Sequence, residues 1–142
     1  MPAASAASSE KLKLYFEEGL PGFPQLQFFQ LHQQEKESPF YLLASIENPS
    51  VEFGVIEPFP FFPDYEFKLN DVDRESLRMK EDTALVVLNI VTIRPEGQVT
   101  VNLKAPIVIN LENRMAKQII LNDDKYTIRQ PLFTIGAKVA NE

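Results

Sequence analysis

The chain contains no cysteine and no tryptophan, a single histidine and only five glycines. Without cysteine there are no disulfides, no thiolate nucleophile and no sulfur-rich zinc or iron–sulfur site, a composition that suits a reducing compartment. The few glycines form neither a P-loop nor a G-x-G-x-x-G, so they offer no backbone cradle for phosphates. There is no G-x-S-x-G either, and the serines fall in tails, turns and strand ends, which leaves acyl transfer without a nucleophile motif. His32 has no second histidine at ligand spacing and reads as a surface or rim residue. Neither a cofactor nor a metal is expected, and no catalysis. No apolar run approaches the roughly 20 residues of a membrane helix. The start MPAASAASSE has neither the basic region nor the apolar stretch of a signal peptide. The expected location is the cytoplasm, away from membranes.

What is present is enough for one ordinary domain: 142 residues, 44% of them hydrophobic. The formal net charge of −6 is uneven, with 15 acids against 7 bases over residues 10–82 and 5 against 7 over residues 83–142. An acidic first half repels phosphate backbones, so direct nucleic-acid binding is disfavoured, and it attracts a basic protein partner. The same charge also serves as an ordinary solubilising surface.

Short runs rich in β-branched and aromatic residues recur between turn signals, a pattern of strands joined in sequence. Lys11–Phe16 alternates polar and apolar residues before Glu17-Glu18-Gly19-Leu20-Pro21-Gly22, whose Pro-Gly pair suits the centre of a type II turn. Further strands are expected over residues 26–31, 40–46 and 51–56, as a meander. Residues 84–93 form an almost unbroken apolar run, as in a barrel stave or a strand covered on both faces. Residues 99–103, 107–111 and 118–121 complete the set, with Glu112-Asn113-Arg114 connecting the last two. One short helix is expected over residues 71–79, with Asp71 as its N-cap and Arg74 and Arg78 near its end. The fold class that follows is mainly β, a small antiparallel β-barrel-like single domain with one short helix. Its expected organisation is a disordered tail at residues 1–10, the barrel at 11–133 and a C-terminal tail at 134–142.

Thirteen of the fifteen aromatics lie between Tyr15 and Phe67, and five crowd into residues 59–67. Pro58, Pro60 and Pro63 forbid a regular helix or a central strand there, which predicts a stiff, extended connector. Alternation cannot bury Phe59, Phe61, Phe62 and Tyr65 on one side, so some of these rings are expected near the surface. Rings flanked by Glu57, Asp64 and Glu66 have the anatomy of a binding hot spot, an apolar anchor with an acidic rim. The competing reading is that they cap the open end of a barrel, and both can hold together.

Several blocks then point to a family. They are Phe16-Glu17-Glu18-Gly19-Leu20-Pro21-Gly22-Phe23, Ser38-Pro39-Phe40-Tyr41 and Glu57-Pro58-Phe59-Pro60-Phe61-Phe62-Pro63-Asp64-Tyr65. Val101-Asn102-Leu103-Lys104-Ala105-Pro106-Ile107-Val108-Ile109-Asn110 and Gln118-Ile119-Ile120-Leu121 follow in the same order. Over residues 14–132 the chain resembles FliW, the bacterial flagellar assembly factor. It departs from that pattern at Ala44, at Met115-Ala116, where Lys-Gly is usual in a turn, and at Gln130. The resemblance implies a small monomeric barrel that binds cytoplasmic flagellin and, when freed of it, binds the translational regulator CsrA, relieving repression of flagellin mRNA. The alternatives are a chaperone that only shields flagellin and a small-ligand barrel. The expected protein contacts are Glu57, Phe59, Phe61, Phe62, Asp64 and Tyr65, with Phe23 and Asn102 added from the family blocks.

Overall fold

The computed structural model describes residues 11–33 and 35–135. The expected tail at residues 1–10 lies outside the described residues, as do residues 136–142. Among the described residues nine strands and one helix follow in the order β1 (Lys11–Phe16), β2 (Phe28–Gln33), β3 (Phe40–Ser45), β4 (Glu52–Ile56), α1 (Asp71–Ser76), β5 (Leu85–Ile93), β6 (Gln98–Val101), β7 (Ile107–Asn110), β8 (Met115–Gln118) and β9 (Gln130–Thr134). The first four form the expected antiparallel meander, in register through Leu14↔Phe29, Phe29↔Ser45 and Leu43↔Phe53. β4 then pairs with β5, and the order β4-β3-β2-β1-β8-β7-β5 closes a barrel of seven strands. Every pairing is antiparallel except β1 with β8, where Tyr15 faces Met115 and Phe16 faces Ala116.

The barrel interior is solid with side chains. Leu14, Phe16, Phe29, Leu43, Val55, Leu88, Ile107 and Ile109 are buried there without measurable exposure. β5 and β7 also carry apolar residues on their outer faces: Val87, Val91 and Val108 belong to a second core with Ile56, Tyr65, Leu77, Val101, Leu103, Ile119 and Leu121. The near-continuous apolar run of β5 has this cause, because its alternate residues serve two cores.

Tyr65 is the polar centre of the second core. Its hydroxyl donates to the Leu103 carbonyl at 2.6 Å and accepts from Asn89 Nδ2 at 3.2 Å, and that amide also donates to the Asn102 carbonyl at 2.9 Å. Burial pushes the Tyr65 hydroxyl up from 10.0 to about 12.

The helix is shorter than expected and its cap lies one residue earlier. Asn70, not Asp71, is the N-cap, its Oδ1 accepting from Asp73 N at 2.7 Å. The end comes at Ser76 because Arg78 takes a left-handed φ of 55°, with Arg78 N donating to Glu75 O and Met79 N to Arg74 O. That is a Schellman ending with arginine where glycine is usual. Polar contacts fix the helix to the sheet. Lys117 Nζ sits 2.8 Å from Asp73 Oδ1 with both side chains largely buried, and the amides of Asn110 and Asn113 donate to the Leu77 carbonyl at 2.8 and 3.1 Å.

Other boundaries moved as well. β8 starts at Met115 and ends at Gln118, where a strand over residues 118–121 was expected. Residues 119–121 form no regular strand and bond instead to the 104–106 segment, through Ile119 N to Pro106 O and Leu121 N to Lys104 O, both 2.8 Å. Met115 and Ala116 therefore sit in a strand and not in the turn. The left-handed residue of the turn is Arg114, at φ 66°. β9 was not expected at all. It pairs with β6 and runs to Thr134, with Ile135 N still donating to Gly97 O at 2.7 Å, so regular pairing continues just past residue 133. A register shift between Val99 and Thr100 puts a bulge in this pair, and β9 has no strand on its other side among the described residues.

Two outcomes follow. Asp73→Ala strands a mostly buried ammonium and should cost roughly 2–3 kcal/mol in urea unfolding, whereas Asp73→Ala with Lys117→Met should recover most of it. Equal losses in the single and double variants would mean that removing Asp73 does not leave Lys117 stranded. Because the folded-state pKa of Tyr65 is raised above its unfolded value, the neutral-form preference is fully present below pH 10.0 and is lost as pH rises towards about 12. Wild type should therefore lose of the order of 2 kcal/mol more than Tyr65→Phe over that window, measured by denaturant titration at each pH.

Candidate protein-binding site

Residues 57–67 leave β4, cross the outside of the barrel and lead towards α1. They are not extended as expected, but wound into tight turns. Phe61 N and Phe62 N both donate to the Pro58 carbonyl, at 3.0 and 2.8 Å, and Tyr65 N donates to Phe62 O at 3.0 Å. Pro63 accounts for the second of these turns, because it holds the second position of Phe62–Tyr65 and a φ fixed near −65° suits that position as well as it suits an extended chain.

The turns divide the aromatic rings. Phe59 is 44% exposed and lines a shallow recess with Phe67, Leu69 and Leu85. Phe61 and Phe62 are half-buried, and with Pro63, Asp64 and Tyr65 they line one wall of an open groove of about 410 Å³. Leu103, Lys125, Tyr126 and Gln130 line the rest of it. Tyr65 is the buried ring of the four: it is 4% exposed, its ring is held edge-on by Tyr126 at 4.8 Å, and it forms part of the groove's floor. The Tyr126 hydroxyl clamps the connector, accepting from Glu66 N and donating to Glu66 O, both at 3.1 Å.

The acids divide in the same way. Asp64 and Glu66 are exposed beside the rings. Glu57 is engaged inward, its Oε2 accepting from the Tyr41 hydroxyl at 2.7 Å. Burial, followed by the Glu57 bond and charge, pushes that hydroxyl up to about 12. Phe23 and Asn102 lie apart from the groove. Phe23 packs on the barrel core against Phe53, with ring centroids 6.0 Å apart, and closes the turn in which its N–H donates to Leu20 O at 2.7 Å. Gly22 between them has φ 88°, as a type II turn requires. Asn102 Oδ1 accepts from Lys104 N at 3.1 Å and so shapes its own loop.

Sequence reasoning missed the far wall of the groove. Lys125, Tyr126 and Gln130 are some sixty residues from the connector in sequence. The signal available was Tyr126 itself, one of only two aromatics after Phe67. Lys125 Nζ lies 5.2 Å over the Tyr126 ring and 3.7 Å from Asp123 Oδ2, so the groove is apolar with a charged margin of both signs. Among the described residues no group of three or more histidine, aspartate or glutamate side chains is placed to hold a metal.

The family model described as FliW protein matches residues 3–132. A flagellar assembly factor FliW of Caldanaerobacter subterraneus subsp. tengcongensis is 43% identical over 127 residues, covering 87% of this chain and 84% of that protein. The one from Clostridium botulinum strain Okra is 40% identical over 125 residues, covering 87% of each. A crystal structure of the flagellar assembly factor FliW superposes with a TM-score of 0.80 at 37% identity, covering 89% of both chains. A match of this extent, in sequence and in the closed barrel alike, places the chain in the FliW family.

Proposed function

We propose that this protein is a cytoplasmic flagellar assembly factor that holds flagellin and, when freed of it, binds the translational regulator CsrA and relieves repression of flagellin mRNA. The observation that carries the reading is the aromatic groove. Half-buried Phe61 and Phe62 stand over a locked floor of Tyr65 and Tyr126, with the Asp64 carboxylate at the edge. Rigid rings lose little freedom when covered, so such a surface anchors a protein segment at low ordering cost. The acidic rim of Asp64 and Glu66 supplies attraction for a basic partner and little affinity of its own. No catalytic step is called for. The filled barrel interior supports this reading over a small-ligand barrel, because Phe16, Phe29 and their neighbours occupy the space a ligand would need.

Flagellin shielding without CsrA control is the rival use of the same groove, and salt separates the two. Steered binding to a basic regulator weakens with ionic strength, whereas seating an apolar helix does not. Calorimetry of the purified protein with flagellin and CsrA from its own organism should show both binding. Phe62→Ala should weaken at least one partner about tenfold, and Asp64→Lys should weaken CsrA chiefly at low salt. Binding of flagellin alone would leave the shielding role, and binding of neither would sink the proposal.

A further inference from the structure

A second concavity, of about 250 Å³, opens between the 17–24 turn, the C-terminal end of α1 and β8. It shares no lining residue with the aromatic groove. Its floor is apolar and buried, made by Leu20, Leu77 and Ala116 at 2%, 1% and 4% exposure. Its charged groups are Glu17, Glu18 and Lys117, joined by the polar side chains of Ser76, whose Oγ accepts from Lys117 Nζ at 3.4 Å, and Gln118. The Lys117 ammonium is already committed to Asp73 at 2.8 Å, while Glu18 Oε2 stands 3.9 Å from it with a side chain 70% exposed. Asp73 and Glu18 both lie within 4 Å of this one ammonium and Glu17 adds a further carboxylate to the lining, so the recess keeps uncompensated negative charge above an apolar base.

The wall on the turn side is rigid. Gly19 holds φ 66°, and a Cβ there would lie 2.5 Å from the Phe23 carbonyl oxygen, so the backbone is packed tightly on itself. Leu20 and Phe23 bond each other in both directions. The recess is therefore preformed, and an occupant does not have to order it.

We propose that this recess receives one basic side chain, arginine or lysine, of a protein partner. Three observations select that occupant. The volume falls below the roughly 300 Å³ at which small-molecule sites begin, and it suits a single long side chain. The apolar floor matches an aliphatic stem, which basic side chains bury while keeping the charged head at the rim. The charge at the rim is of the sign that a guanidinium or ammonium requires. The site goes beyond the role assigned to the aromatic groove and does not depend on it.

The test uses neither flagellin nor CsrA, so its failure leaves the proposed function standing. The full-length protein is titrated with acetylated, amidated Gly-Arg-Gly, Gly-Lys-Gly and Gly-norleucine-Gly, followed by amide-resolved NMR. The two basic peptides should shift the amides of Gly19, Leu20, Gly22 and Ala116 saturably, and norleucine should not. Glu17→Gln with Glu18→Gln, both at exposed positions, should weaken the basic peptides at least about fivefold and leave the rest of the spectrum in place. Absence of saturable shifts up to about 50 mM peptide would overturn the proposal. Equal shifts from norleucine would do so too, by making the recess an apolar pocket, as would unchanged affinity in the double variant.

Discussion

A closed barrel can bury only one face of its sheet, and in this protein β5 and β7 are apolar on both. Val86, Leu88 and Ile90 face the filled interior while Val87 and Val91 face outward, and Val108 does the same between Ile107 and Ile109. Each exposed valine left on the outside would forfeit about 1.5 kcal/mol or more of burial. The remainder of the chain answers that requirement. The connector, the residues that follow α1, the 119–126 segment and β9 are wrapped over the outer face, and their rings and apolar side chains, Leu77 and Met79 among them, make much of the second core. The site is a product of the same constraint, since a cover built from prolines and aromatics cannot hide every ring it carries.

Polar groups determine how that cover sits. Hydrophobic contact alone would let a one-and-a-half-turn helix slide, and an isolated helix of this length has no stability in water. Lys117 and Asp73 pin one side of α1, and Asn110 and Asn113 converge on the Leu77 carbonyl at its end. In the connector, Tyr65 is tied to Leu103 and Asn89, and Tyr126 to Glu66. Directional bonds of this kind add about a kilocalorie each in net terms, but they select one arrangement among many apolar ones. The groove is rigid for this reason.

Much of the architecture was legible because alternation along Lys11–Phe16 and the runs near Phe40 and Glu52 is local information. The type II turn at Pro21-Gly22 was legible for the same reason. What escaped depended on partners distant in sequence. β9 carries Pro131 and almost no alternation, and it is a strand only because β6 lies beside it. The helix stopped at Ser76 because Arg78 adopted a conformation that residue type alone does not announce. In the site, residue composition exposed the aromatic wall, and the half-burial of Phe61 and Phe62 follows from the limits of alternation. The inward turns of Tyr65 and Glu57 did not, because each answers a partner elsewhere, Leu103 for one and Tyr41 for the other.

Among the described residues β9 is an open margin of the sheet, and that bears on what kind of recognition is available there. An unpaired strand edge invites any extended chain to join it through backbone hydrogen bonds, with little regard for side chains. β9 carries Pro131, which has no N–H to offer, and its register with β6 is broken by a bulge. An incoming strand finds no continuous ladder there. Backbone-led capture at that edge is thereby discouraged, and what it leaves for recognition is the side chain, the part of a chain that distinguishes one protein from another.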